Sequence, residues 1–146
     1  MTDPSTLSAR EVVARTLWGE ARGEGIAGMA AVAGVIANRV RNPRWWGKTA
    51  PAVCLKPYQF SCWLEQDPNR DKLLAITDSD RTFRAALDIA DEMLAGRLRD
   101  VTANADHYHT VGVSPTWSVG KTPVAEIGDH RFFRLELTAP IRVLKK

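Results

Sequence analysis

A chain of 146 residues with 45% hydrophobic content is long enough for one domain with its own core and short for two. Its net charge of +3 is far below that of a nucleic-acid-binding tail, although a pI near 9.1 suits an anionic polymer. The start Met-Thr-Asp-Pro-Ser has no basic region leading into an apolar core, and no apolar run approaches about 18 residues, so neither a signal peptide nor a membrane span is expected. A single domain over 1–146 follows, made in the cytoplasm, without nucleic acid or stable membrane insertion among its partners.

The first helix begins at Ser8, which with Glu11 forms a capping box, each side chain satisfying an orphan backbone donor. Val12, Val13, Leu17 and Ala21 supply its apolar stripe, and Gly23-Glu24-Gly25 ends it. Counting about 100° per residue from Val13, Leu17 falls at about 40° and Glu20 at about 340°, so an acid shares the aliphatic stripe while Arg22 points the other way. A carboxyl partly withdrawn from water holds its proton more readily, as a general acid must. The competing reading makes Glu20 the rim of a solvated face, or neutralises it with Arg10 or Arg22. Glu24 would lie above Glu20 at i,i+4 if the helix continued through Gly23.

A second helix over about Ile26 to Val40 carries Met29, Val32, Val35, Ile36 and Val40 on several faces, the pattern of a central buried helix. Asn38 and Arg39 are its polar exceptions. The cation complements the C-terminal dipole and reads as structural, whereas Asn38 could face a cleft.

From Arg41 to Pro68 the periodicity fades, and four prolines accompany Trp45-Trp46, Tyr58, Phe60 and Trp63. A long irregular stretch in a compact domain is usually functional, and flat rings with nearby amides suit sugar faces. An ordinary minicore beneath a loop is the other reading, so Tyr58, Gln59 and Phe60 are candidate ligand contacts on either footing. Cys54 and Cys62 could close a small disulfide loop in an oxidising space, but two cysteines without a signal sequence are more often reduced and buried, which is the expectation here.

A third helix over about Asp80 to Leu94 repeats Phe83, Leu87, Ala90 and Leu94 at helical spacing and is closed by Gly96. It reads as scaffold. Extended pieces follow at Ala105 to Val111, Val124 to Ile127 and Arg131 to Leu137, separated by Gly112, Pro115, Gly120 and Gly128. Helices first and strands last predict an α+β domain with a small antiparallel sheet.

Asp106-His107-Tyr108-His109 is the clearest polar constellation outside the first helix. On a strand the two histidines share one face and Tyr108 takes the other, an arrangement compatible with two metal ligands. A third would have to come from Asp129, His130 or Glu20. Sugar binding or a loop hydrogen bond accounts for the same histidines, so no metal is expected. Phosphate loops, dinucleotide fingerprints, Gly-x-Ser-x-Gly and His-Glu-x-x-His do not occur.

Taken in order, Glu20-Ala21-Arg22-Gly23-Glu24, Asn38-Arg39-Val40, Gln59-Phe60-Ser61-Cys62-Trp63, His107-Tyr108-His109, Pro115-x-Trp117 and Ile127-Gly128-x-His130-x-Phe132 resemble the SleB-like cell-wall hydrolases, which include spore-cortex-lytic enzymes and phage endolysins. The resemblance covers about Glu11 to Arg134. It implies a lysozyme-like α+β domain, with a helical core and a small antiparallel sheet, that cleaves peptidoglycan between N-acetylmuramic acid and N-acetylglucosamine. Glu20 matches the family's catalytic glutamate. Gln59, Phe60, Ser61, Tyr108 and Trp117 match blocks expected around the cleft, with Glu24, Asn38 and His107 as further substrate contacts. Asp106 departs from the small or hydroxyl residue expected before His107-Tyr108 and is a candidate second carboxylate.

Glycoside hydrolysis ordinarily uses two carboxylates flanking the bond, about 5 to 9.5 Å apart. Glu24, one turn along the same face, cannot flank the sugar from the opposite side. If Glu20 acts alone, the enzyme is a lytic transglycosylase leaving a 1,6-anhydro product. If Asp106 assists, it is a muramidase. A peptidoglycan-binding module and a metal-dependent amidase built on His107 and His109 are the remaining readings. A monomeric, cofactor-free phage endolysin, reaching the wall after the inner membrane of an infected host is breached, is the expected setting.

Overall fold

The computed structural model describes residues 3–136. Ser8 caps α1 (Ala9–Ala21) by accepting the Glu11 N–H at 3.2 Å. Only half of the expected capping box forms, because Glu11 turns its carboxylate to Arg15 at 2.8 Å. Val12, Val13, Leu17 and Ala21 are buried as the periodicity requires. A single 3-10 turn, Arg22–Glu24, extends the helix, and Gly25 at φ 71° redirects the chain into α2 (Gly25–Arg41). The long apolar stretch of α2 is buried on most of its faces, and it packs against α1 and α5.

The stretch expected to be irregular contains two short helices. Thr49 accepts the Ala52 N–H at 3.2 Å to start α3 (Ala50–Leu55), and Asp67 accepts the Asn69 N–H at 2.8 Å to start α4 (Pro68–Ala75). Each has a capping side chain just before a proline in the first turn, a helix-start signal independent of apolar periodicity. Asp80 caps α5 (Arg81–Leu94) through the Phe83 N–H at 2.8 Å.

Leu17, Ile36, Leu73 and Phe83 are fully buried in the core joining these helices. Truncating one such side chain to alanine costs about 2 to 5 kcal/mol. The sheet is antiparallel with order β1-β3-β2, formed by β1 (His107–Thr110), β2 (Ala125–Ile127) and β3 (His130–Phe133). All three strands are shorter than their extended pieces, and Leu137 lies outside the described residues. Phe132, opposite Tyr108 in register, packs with Ala31, Val35 and Ala105 in a second small core. That contact seats the sheet on α2, so that β1 faces the C-terminal end of α1. The α+β fold, with a helical body and a small antiparallel sheet, is therefore as expected.

Candidate active site

A cleft of about 660 Å3 opens where the end of α1, the loop around Tyr58 to Ser61 and β1 converge. Glu20, Gln59, Phe60, Ser61, Tyr108 and Trp117 all line it. Glu20 is half-buried, in the last turn of α1. Tyr108 Oη–H donates to Glu20 Oε1 at 2.6 Å, and the Cys62 backbone N–H donates to Oε2 at 3.2 Å. A carboxylate offers about four lone-pair sites. Two donors therefore orient the group and leave it acceptor positions for a substrate.

Both donors are fixed by packing. The Ser61–Trp63 turn is pinned to α1 because Trp63 Nε1–H donates to Thr16 Oγ1 at 2.8 Å, while Thr16 donates to the Val12 carbonyl at 2.7 Å. Gly19 permits the approach, since a Cβ there would lie 2.9 Å from Leu73 Cδ2 and 3.0 Å from Cys62 Cβ and Sγ. Tyr108 is held among Phe60, His130 and Phe132, with ring centroids 6.3, 5.0 and 5.6 Å away. Burial and then the negative charge of Glu20 push its phenol well above the ordinary value, so Tyr108 remains a donor. The Cys62 thiol is pushed up by the same causes in the same order and remains neutral beside the carboxylate.

Neither arginine considered as a counter-ion is spent on Glu20. Arg10 pairs with Asp91 at 2.7 Å, and Arg22 lies 4.1 Å over the Trp18 ring with Nη2 donating to Asn69 at 2.7 Å.

Three expected cleft residues are employed elsewhere. Asn38 is buried in α2 and donates to the Ala105 carbonyl at 2.9 Å, tying α2 to the entry of β1. Glu24 accepts the Asp129 N–H at 2.6 Å, clasping the β2–β3 turn, where Gly128 at φ 57° has no room for a Cβ beside the Glu24 carboxylate. Asp106 is fully buried and accepts the N–H groups of Leu135 at 2.9 Å and Glu136 at 2.7 Å. Its Oδ1 also lies 2.8 Å from His107 Nδ1. Buried carboxylates are retained where backbone donors satisfy them, and this one organises the chain leaving β3. Among the described residues lining the cleft, Glu20 is the one carboxyl group.

His107 and His109 share a strand face, but their rings belong to an aromatic cluster. His107 lies 5.0 Å from Trp117, and His109 stacks on Phe133 at 5.2 Å. His109 Nδ1 is engaged with the Thr110 carbonyl at 2.8 Å. Among the described residues no three His, Cys, Asp or Glu side chains are grouped to hold a metal ion.

Sequence reasoning did not assign Arg39, Trp45 or His130 to the cleft, yet all three line it. Arg39 Nε–H donates to the Asp106 carbonyl at 2.8 Å, and burial lowers the guanidinium below its ordinary value. His130 is likewise buried, which lowers its imidazole below the ordinary range. A polar side chain near the end of an otherwise apolar helix was the available signal for Arg39. The Cys62 donor is a main-chain group, which residue identity does not reveal.

Residues 23–133 match the family model described as Cell Wall Hydrolase. The fold is similar to the catalytic domain of the germination-specific lytic transglycosylase SleB from Bacillus anthracis, with a TM-score of 0.67 and 26% identity over 89% of this chain and 98% of that one. It is also similar to the catalytic domain of the Bacillus cereus SleB protein, with a TM-score of 0.63 and 27% identity over 85% of this chain and 88% of the other. No curated protein sequence matches the chain.

Proposed function

The chain belongs to the cell wall hydrolase family, and we propose that it is a lytic transglycosylase whose Glu20 cleaves the N-acetylmuramic acid to N-acetylglucosamine bond of peptidoglycan without water. It is an enzyme acting on peptidoglycan, like the SleB catalytic domain whose fold it shares. The observation that carries the finer reading is the single carboxyl group among the described residues lining the cleft.

With one carboxyl, acid and base roles fall to the same residue in succession. Glu20 first gives its proton to the glycosidic oxygen as the C1–O bond breaks and N-acetylglucosamine leaves. Positive charge then develops on the muramic acid C1 and ring oxygen. Glu20, now a carboxylate oriented by Tyr108 and Cys62, takes the proton of the muramic acid 6-hydroxyl as O6 bonds to C1. The sugar closes as a 1,6-anhydro ring and Glu20 is again protonated. A hydrolytic muramidase would need a second carboxylate to position water across the ring. Asp106 is fully buried with its oxygens given to main-chain donors and His107, which favours the one-carboxyl route.

Digestion of purified peptidoglycan in water enriched in oxygen-18, followed by mass spectrometry, separates the two. The expected muropeptides end in 1,6-anhydro sugars without solvent oxygen. Reducing ends carrying the heavy isotope would overturn the reading.

We assign the biological setting to a phage endolysin that acts as a monomer on the wall of an infected host, and the net charge of +3 supports an approach to an anionic envelope. Expression in bacteria should then cause lysis only when the inner membrane is permeabilised. Lysis that does not depend on permeabilisation would refute that setting.

A further inference from the structure

Arg39 is 5% exposed, yet its guanidinium spends little of its hydrogen-bonding capacity on the protein. Of the five N–H groups such a side chain carries, the Nε–H reaches the Asp106 carbonyl, and Nη1 is buried without a partner among the described residues. A buried donor left unmatched is destabilising, so a purely structural arginine would be expected to place its fork better. The guanidinium carbon sits 5.8, 5.1 and 5.9 Å from the ring centroids of Trp45, Trp46 and Phe60, at the cleft wall. Trp45 lines the cleft, is 45% exposed, and its indole N–H donates to the Glu136 carboxylate at 2.9 Å, which holds the ring in place. His107 closes the same corner, 6.3 Å from Trp45, with Nδ1 held by Asp106.

Resting on the peptidoglycan reading above, we propose that Arg39, Trp45 and His107 form an acetamido-binding subsite, in which the guanidinium donates to the carbonyl oxygen of an N-acetylamino sugar and Trp45 covers its methyl group. A neutral acceptor fits better than an anion. Asp106 and Glu136 already place two carboxylates in the electrostatic surroundings of the guanidinium, so a third would meet repulsion. An acetamido group offers one carbonyl oxygen and one methyl, matching an uncommitted N–H fork beside aromatic rings.

The test compares two neutral β-1,4 tetrasaccharides, tetra-N-acetylchitotetraose and cellotetraose, by titration calorimetry on the full chain. The acetylated sugar should bind at least about tenfold more tightly, the equivalent of one good hydrogen bond. Trp45→Ala and Arg39→Lys, with melting curves confirming folding, should each reduce that ratio to below about threefold. Trp45 is half-exposed, so its variant supplies the result if Arg39→Lys does not fold. Equal affinities in the unaltered protein, or a ratio preserved in the folded variants, would overturn the subsite. Muropeptide release is measured in parallel: release without sugar discrimination sinks the subsite alone, and absence of release sinks the transglycosylase reading.

Discussion

Gly19→Ala sets two effects of similar size against each other. In an unencumbered helix the change would stabilise by about 0.8 to 1 kcal/mol through backbone entropy. Here the new methyl would lie 2.9 Å from Leu73 Cδ2 and 3.0 Å from Cys62 Cβ and Sγ, and both neighbours are buried. Overpacking of that kind costs about 1 to 3 kcal/mol. Leu73 meets the methyl with the end of a side chain and can rotate, whereas Cys62 meets it at Cβ and must carry its backbone along. The Cys62 N–H is the donor to Glu20 Oε2 at 3.2 Å, and a few tenths of an ångström takes that bond out of range. The expected result is a net loss of about 1 kcal/mol, a fall in Tm of about 2 to 4 °C, and a kcat lower by about tenfold. Gly23→Ala is the internal control, because a Cβ there meets nothing within 4 Å. Calorimetric melting and muropeptide release should separate the two variants. A Gly19→Ala protein with raised Tm and undiminished rate would refute the proposed contact between Gly19 and the Glu20 donor.

Glu20→Gln should fold and bind walls while losing at least about two orders of magnitude in rate, and near-normal turnover would remove Glu20 from the mechanism. Tyr108→Phe keeps the ring packing and deletes the 2.6 Å bond, so kcat should fall by about ten- to a hundredfold with KM little changed; an effect confined to KM would contradict the orienting role. Burial pushes the Cys54 thiol up to about 12 and the Cys62 thiol higher still, so both should resist alkylation at neutral pH until unfolding, and reductant should leave lysis within about twofold. A native protein with no free thiol that loses lysis on reduction would contradict this. His130 is lowered from 6.5, by burial first and against the opposing charges of Glu24, Glu20 and Asp129. The folded state therefore binds its proton less readily than the unfolded chain, so stability that is intact above about pH 6.5 declines as pH falls below it. Tm against pH should decline less steeply just below pH 6.5 in His130→Asn, and identical slopes would exclude the assignment.

Where a segment buries one face of a regular element, its sequence was readable. The stripe of α1 and the recurrence of Phe83, Leu87 and Ala90 in α5 each give a periodic signal that packing then uses. α3 and α4 have six and eight residues, too few turns for periodicity to rise above irregularity. Their signal lay in Thr49 before Ala50-Pro51 and Asp67 before Pro68, where the cap side chain supplies what length does not. The strands were placed but drawn too long, and for β3 the reason is visible: just after it, Leu135 and Glu136 give their N–H groups to the Asp106 carboxylate instead of a neighbouring strand.

The helical angle brought Glu20 forward as the acid and spacing set Glu24 aside as its partner, but residue type left Asp106 open as a second carboxylate. What distinguishes the three is competition for their oxygens. Glu24 Oε1 is claimed by a main-chain donor of a turn 105 residues away, and both Asp106 oxygens by main-chain donors 29 and 30 residues away. Those donors are backbone groups, present at almost every residue and therefore silent in composition. Glu20 also takes a main-chain donor, from Cys62, yet its second donor is the hydroxyl of Tyr108, and the carboxyl group lies in the cleft. An acid enclosed by a peptide nest is held as structure, whereas one oriented on two sides and open on a third can exchange its proton with a ligand. The catalytic assignment therefore depends less on which positions carry carboxylates than on where the folded chain leaves one of them accessible.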